Sequence, residues 1–484
     1  VRIALLHYHL IRGGVTSVIR EQARSLAEAG EEVLVIAGET GHEGDADPRE
    51  ALEFGGVPLA IVPGLRYDGR RGEAETEGAA SDGSDRLAAD IAAAMERTWG
   101  STADVLHVHN PLIRRNRHLL DALKILKDRG IRMLLQNHDF AEDFRPDVYI
   151  EGGHYVDDVH YAAVNGRDYS LLRRSGLDAD GTHLLANAVV PIAATPGLER
   201  TRYLYPVRGG RRKNLGEALL LSLFIPPGRT VAVMLPPLSA QGEATYRHWR
   251  DLAKRLRLPV EFDVGERVSP SDLYGSSVCA VTTSIKEGFG FSFLEPWTAG
   301  VPVIGRRLPY LCQDFERAGV RFDGLYESVS IPLVYLPAPL LRRKLESALS
   351  SAYRAFGLEA PPYILKTLTD DLFSRDVFDF GRLDEELQTD ILEMLASNDA
   401  SRADIADANP FLAALSDWEG DPDLIARNRD LILAAYSPAV AVARLRETYR
   451  SVIDHPVRQR LSKAILLELF LDPLKLSLIG IGHD

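Results

Sequence analysis

The sequence predicts an α/β protein built on two tandem, doubly wound, Rossmann-like domains. Three observations carry this. Apolar runs of strand length alternate with segments of helical period in two successive series. Residues 191–197 (PIAATPG) separate the series with the composition of a linker. A chain of 484 residues suits two or three domains, each large enough to bury its own core.

In the first series, residues 2–8 read as a strand, Gly13-Gly14 as a turn and 15–29 as a helix. That helix places Val15, Val18, Ile19, Ala23 and Leu26 on one face, and Gly30 ends it. Further strands are expected at 32–37, 58–63, 104–109, 131–136 and 160–164. The Gly, Glu, Ser and Asp-rich tract 64–85 reads as a mobile surface loop. The second series has strands at 203–207, 230–235, 259–264, 278–282 and 301–305, with helices at 212–223, 243–257 and 291–299. From about 335 the strand signal fades and helical patterns take over, at 341–355, 383–397, 424–436 and 438–453. The expected organisation is 1–195, 200–335 and a helical extension 336–484.

A net charge of −13 argues against a general binder of nucleic acid or anionic membrane. The basic segments 113–129 and 341–354 read as solvated faces of surface helices. Two cysteines, Cys279 and Cys312, offer neither a disulfide framework nor a metal spacing. No apolar run reaches membrane-spanning length, and the opening Val-Arg-Ile-Ala-Leu-Leu is too short for a signal segment. A cytoplasmic protein without a membrane span is expected.

The chemistry concentrates in KEGFGFSFLEPWTAGVP, residues 286–302. An apolar strand precedes it, the chain turns through Gly288 and Gly290, and a helix opens. Glu287 lies at the strand's carboxyl end and Glu295 on the helix. In an open parallel sheet, ligands bind beyond the carboxyl ends of the strands. Glycines let backbone approach a ligand, and the N–H groups opening a helix favour an anion. Carboxylates on either side of that anion suit sugar hydroxyls, so the pattern fits a nucleotide sugar. The other reading is an ordinary strand–turn–helix with two solvated glutamates. Arg208 and Lys213, in YPVRGGRRKNLGEALL, follow another strand and could offset charge on a diphosphate. A basic helix start facing water is the alternative, disfavoured because cations repel the helix amino end.

These residues resemble retaining glycosyltransferases of the GT-B fold, in the family 4 group. The resemblance rests on Glu287, Phe289-Gly290, Glu295 and Gly300-Val-Pro-Val303, with Arg208 and Lys213 matching the family's G-R-x-x-x-x-K. Pro296-Trp297 stands where Ala-Met is commoner, and Val207 replaces a glycine. The resemblance implies two Rossmann-like domains facing a cleft, with terminal helices returning to the first domain. It implies that Glu287 contacts the donor hexose, Glu295 the ribose, and Phe289 and Gly290 line the donor site. It also implies a donor-hexose contact for His138, acceptor-side places for His109 and Gly13, and a donor contact for Gly14. Gly13-Gly14 serves equally as a structural turn, and His107 reads as a satisfied strand-end histidine. The implied reaction is transfer of a hexosyl unit from a nucleoside diphosphate sugar to an acceptor hydroxyl, with Arg208, Lys213, Glu287 and His138 at its centre. No cofactor and no metal are expected. The partners are the nucleotide sugar and an acceptor of unread identity, with a homodimer left open and no nucleic acid. A nucleotide-sugar epimerase, a phosphorylase or an idle GT-B scaffold are the rivals.

Overall fold

The structure is a computed structural model describing residues 1–40, 54, 56–68, 80–149, 152–237, 239–415, 418 and 420–472. It divides the chain into two compact units, Val1–Ala188 with Tyr436–Leu471, and Val189–Ala435.

The first unit holds seven parallel strands: β1 (Arg2–His7), β2 (Glu32–Ala37), β3 (Leu59–Ile61), β4 (Val105–His109), β5 (Met133–Asn137), β6 (His160–Ala163) and β7 (Thr182–Leu184). Their order is β3-β2-β1-β4-β5-β6-β7. The strands read as continuous apolar runs because both faces are covered. Leu6, Leu106 and Leu135 face one core, which the helices Ala80–Trp99, Leu119–Asp128 and Lys463–Phe470 close with Leu87, Ile91, Leu123 and Leu466. Ile3, Leu5 and Leu134 face the other, against Ile19 and Leu26 of Gly14–Glu28 and Leu445 and Tyr449 of Pro438–Asp454.

Two sequence expectations need correction in this unit. The tract 64–85 is not loop throughout: a 3-10 turn spans Pro63–Leu65 and a helix begins at Ala80, while 69–79 lie outside the described residues. The Ser, Asp and Gly at the start of that helix hide its period, which Leu87, Ile91, Ala94 and Met95 carry inward. In the basic segment 113–129 the helix covers Leu119–Asp128, so Arg114, Arg115 and Arg117 sit on the turn after β4.

The second unit has six parallel strands: β8 (Arg202–Arg208), β9 (Thr230–Leu235), β10 (Val260–Glu261), β11 (Ser277–Thr282), β12 (Val303–Arg306) and β13 (Gly324–Tyr326). Their order is β10-β9-β8-β11-β12-β13. An antiparallel pair, β14 (Ser330–Pro332) and β15 (Val377–Asp379), lies beyond them. One strand, at 377–379, lies within the expected helical extension; three residues are too few to show alternation. Nor do residues 336–435 stand apart. Leu341 and Leu345 of Ala338–Ala355, and Leu387 and Ile391 of Glu385–Ser397, share one core with Tyr203, Val231 and Cys279. Among the described residues no helix is long and apolar enough to cross a membrane.

In each sheet the strand order reverses beside the first strand, at β1/β4 and at β8/β11. The loops leaving those strands' carboxyl ends border the crevice that such a reversal creates.

Candidate functional site

In the second unit the chain leaves β8, makes a 3-10 turn over Arg211–Lys213, and opens the helix Leu215–Ser222 through Asn214. Asn214 is left-handed, at φ 56°, a conformation that short polar side chains tolerate. Its amide donates to Glu217 Oε2 at 2.8 Å, and its oxygen accepts from Gln388 Nε2 at 3.0 Å. The Lys213 carbonyl is held by the Tyr205 hydroxyl and by Thr283 Oγ1, the latter at 2.9 Å. These bonds fix the turn and aim the lysine at the neighbouring loop after β11.

There Lys213 Nζ forms an ion pair with Glu287 Oε1, which also accepts from Ser284 Oγ at 2.7 Å. Glu287 is 7% exposed. Its N–H donates to the Tyr310 hydroxyl at 2.9 Å, and that hydroxyl donates to its carbonyl at 2.7 Å. Burial works against the Glu287 charge, yet Lys213, Arg212 and Ser284 outweigh it and hold the carboxyl below its ordinary range. Arg208 Nη1 donates to the Pro236 carbonyl at 2.9 Å, and Arg211 engages Glu385 in a fork at 2.5 and 2.7 Å.

Gly290 opens the next helix, Phe291–Thr298, at φ 83°; a Cβ there would lie 2.3 Å from Leu311 Cδ2. Glycine is needed on both counts. The Phe289 ring is buried in edge contacts with Phe291 and Phe315, so its side chain serves packing. The Pro296-Trp297 pair is accommodated: Trp297 is buried and donates Nε1–H to the Phe293 carbonyl at 3.0 Å. Glu295 is half-buried, and burial pushes its carboxyl up to about 7. Among the described residues no hydrogen bond or ion pair reaches that carboxylate.

The first unit places Gly13 as the cap of the Gly14–Glu28 helix in an extended conformation. A Cβ on Gly13 would meet nothing closer than the Ile11 carbonyl at 3.7 Å, and one on Gly14 nothing within 4 Å. Neither backbone nor packing demands glycine at this exposed helix start.

His109 ends β4 fully buried, with Nδ1 3.0 Å from His138 Nε2 and the two rings stacked 5.3 Å apart. His107 stacks behind it at 4.4 Å and contacts the Tyr449 hydroxyl at 2.8 Å. His7 Nδ1 donates to the His109 carbonyl at 3.1 Å. Asn110 aligns the group by accepting from the N–H of His138 at 2.7 Å. His107, His109 and His138, which the sequence treats singly, form one buried cluster with His7. Burial lowers His7 and His107 to about 3 and His138 to about 4, and takes His109 well down, so all are neutral at pH 7. Their stabilisation is fully present above pH 6.5. It is lost as pH falls toward 4, because the unfolded chain takes up protons that the fold refuses. Each such histidine contributes a slope of about 1.4 kcal/mol per pH unit. We expect the melting temperature to drop steeply between pH 6.5 and 5; a flat profile over that range would show the cluster to be solvated.

Ser284, Asn214 and Tyr310 escape sequence reasoning, because their roles depend on loops meeting in space. Asn165 caps Gly166–Arg174, accepting from Asp168 N–H at 2.8 Å.

The chain matches no protein-family model. The mannosylglucosyl-3-phosphoglycerate synthase of Petrotoga mobilis is 23% identical over 433 residues, 79% of each chain. HepE of Anabaena, solved with UDP and glucose, superposes with a TM-score of 0.54 at 12% identity, over 93% of this chain and 99% of that one. Sucrose-phosphate synthase of Thermosynechococcus elongatus gives 0.53 at 14% identity, over 93% and 98%. A glycosyltransferase of Rickettsia africae gives 0.52 at 11%, over 94% and 99%. Two parallel sheets, each doubly wound, and these superpositions give the chain the GT-B fold of glycosyltransferases.

Proposed function

We propose that the chain is a retaining hexosyltransferase, moving a hexosyl unit from a nucleoside diphosphate sugar to an acceptor hydroxyl without a metal ion. The observation that carries this reading is the juxtaposition of Lys213 and Glu287 at the β8/β11 reversal, beside a glycine-opened helix bearing Glu295. Lys213, with Arg208 and the helix start after Gly290, would stabilise charge developing on the departing diphosphate. Glu287, already oriented by Lys213 and Ser284, would hold hexose hydroxyls, and Glu295 the ribose diol. The open helix start at Gly13-Gly14 suits close approach of an anionic substrate. A neutral His138 would donate or accept one hydrogen bond to the sugar. Attack from the leaving-group face, with the diphosphate taking the acceptor proton, accounts for retention without a protein nucleophile. The Petrotoga relative's name describes a product built on 3-phosphoglycerate, so we take a phosphorylated hydroxyl compound as the acceptor class.

Glu295 supplies the test. A ribose diol donates to a carboxylate, so nucleotide affinity should fall as pH drops below about 7 and the group protonates. Glu295→Ala should weaken nucleoside diphosphate binding at least tenfold and abolish that pH dependence. Removing the group also relieves the cost of ionising it in place, which is absent below its unfolded value near 4.5 and complete above 7. The variant should therefore melt no lower than the parent at pH 8. Calorimetry with UDP, GDP and ADP showing unchanged affinity in the variant would remove Glu295 from the donor site.

A further inference from the structure

A pocket of about 580 Å³ opens at the carboxyl end of the first unit's sheet. Its walls come from three loops. Tyr67 and Asp68 follow β3, Arg114, Arg115 and Arg117 follow β4, and Asp147 follows β5. The volume is that of a small-molecule site, which typically spans roughly 300–1,000 Å³.

The turn bearing the arginines is built rather than draped. Buried Asn116 donates Nδ2–H to the Gly64 and Arg66 carbonyls at 2.7 and 2.8 Å. Asp68 N–H donates to the Arg115 carbonyl at 2.8 Å, and Arg114 N–H to the Val148 carbonyl at 2.9 Å. Loose ion pairs then orient two guanidinium groups. Arg115 lies 3.4 Å from Asp147 with its charge over the Tyr67 ring, and Arg117 lies 3.6 Å from Asp68. Among the described residues no carboxylate pairs with Arg114. Among the described residues that line the pocket, three arginines stand against two carboxylates, in a chain whose net charge is −13.

We propose that this pocket binds a phosphate group carried by the acceptor. The assignment rests on the hexosyltransferase reading for the word acceptor, but not for the binding itself. Guanidinium forks match phosphate oxygens in pairs. The same loop places His109 five residues before Arg114, within about 17 Å along the extended chain. The sequence hid the site by presenting these arginines as one face of a helix.

The test uses the full-length protein and calorimetry with glycerate 3-phosphate, against glycerate as the control lacking phosphate. The parent should bind the phosphorylated compound at least tenfold more tightly than glycerate. Arg114→Ala/Arg117→Ala should lose that preference, and Arg114→Lys/Arg117→Lys should recover part of it. Affinity for nucleoside diphosphates should be the same in all three proteins. Sedimentation with phosphatidylcholine vesicles, with and without phosphatidylinositol phosphate, separates the sources of the phosphate. Vesicle binding lost in the alanine variant assigns it to a lipid acceptor, and binding of the soluble compound alone assigns it to a soluble one. Equal affinity of parent and alanine variant for both phosphate sources, or binding of neither by the parent, would overturn the proposal. Failure of the parent to bind any nucleotide would instead overturn the hexosyltransferase reading and leave the phosphate result standing.

Discussion

Arg306→Ala is expected to destabilise the second unit by about 3–5 kcal/mol, the cost of leaving buried charge uncompensated. Arg306 and Glu217 are both 0% exposed. The guanidinium meets Glu217 through Nε at 2.9 Å and Nη2 at 2.5 Å, and Asp379 through Nη1 at 2.9 Å and Nη2 at 2.8 Å. Tyr326 donates to the same Glu217 at 2.8 Å. Burial works against the Arg306 charge, but Asp379 and Glu217 more than offset it and hold the guanidinium pKa above its ordinary range. With alanine in place, two carboxylates face each other across a cavity. Domains are stable by about 5–15 kcal/mol in total, so the change removes a large fraction. Urea unfolding followed by tryptophan fluorescence is a suitable readout, since Trp249, Trp297 and Trp418 belong to this unit and Trp99 to the other. A change below about 1 kcal/mol would mean that water or a neighbour replaces the arginine. Damage should also reach Lys213, because Glu217 holds Asn214 at the end of its turn. Gly381 shows how tightly the group is packed: a Cβ there would fall 2.5 Å from Arg306 Nη2.

Lys213→Ala should lower hexosyl transfer by about 10²–10³-fold, the usual consequence of deleting one preorganised partner of a developing charge. The fold should survive. Glu287 keeps Ser284 and Arg212 as neighbours and can take up a proton, which limits the loss to about 1–3 kcal/mol. That separates chemistry from stability: turnover measured at saturating donor, well below the melting temperature, should fall while the protein stays folded. The free Glu287 should titrate higher than in the parent, since burial is then less opposed, so residual activity should acquire a new dependence on pH. Release of nucleoside diphosphate from each candidate donor measures both effects. A drop smaller than about fivefold would leave Lys213 as a structural partner of Glu287 and nothing more.

Much of this was legible in the residues themselves. The apolar runs of β1, β4, β8 and β11 stand out because both faces of a parallel sheet are buried, and Gly290 marks a turn that other residues strain to make. Glu287, Glu295 and Lys213 could be chosen because they follow such strands closely in sequence. The strands β7, β13, β14 and β15, of three residues each, went unread, whereas the comparably short β3 and β10 lie inside the longer strand-like segments 58–63 and 259–264. The helix Ala80–Trp99 was hidden by a polar start that resembles loop composition.

What the sequence determined by itself was the alternation of strands and helices, and the residue types waiting at the strands' ends, since local spacing encodes which face is buried. Only the tertiary structure decided the pairings. Lys213 meets Glu287 across 74 positions, His109 meets His138 across 29, and Arg306 joins Glu217 and Asp379. Such contacts depend on which strands lie side by side, and strand order is set by packing of whole elements rather than by any local pattern of side chains.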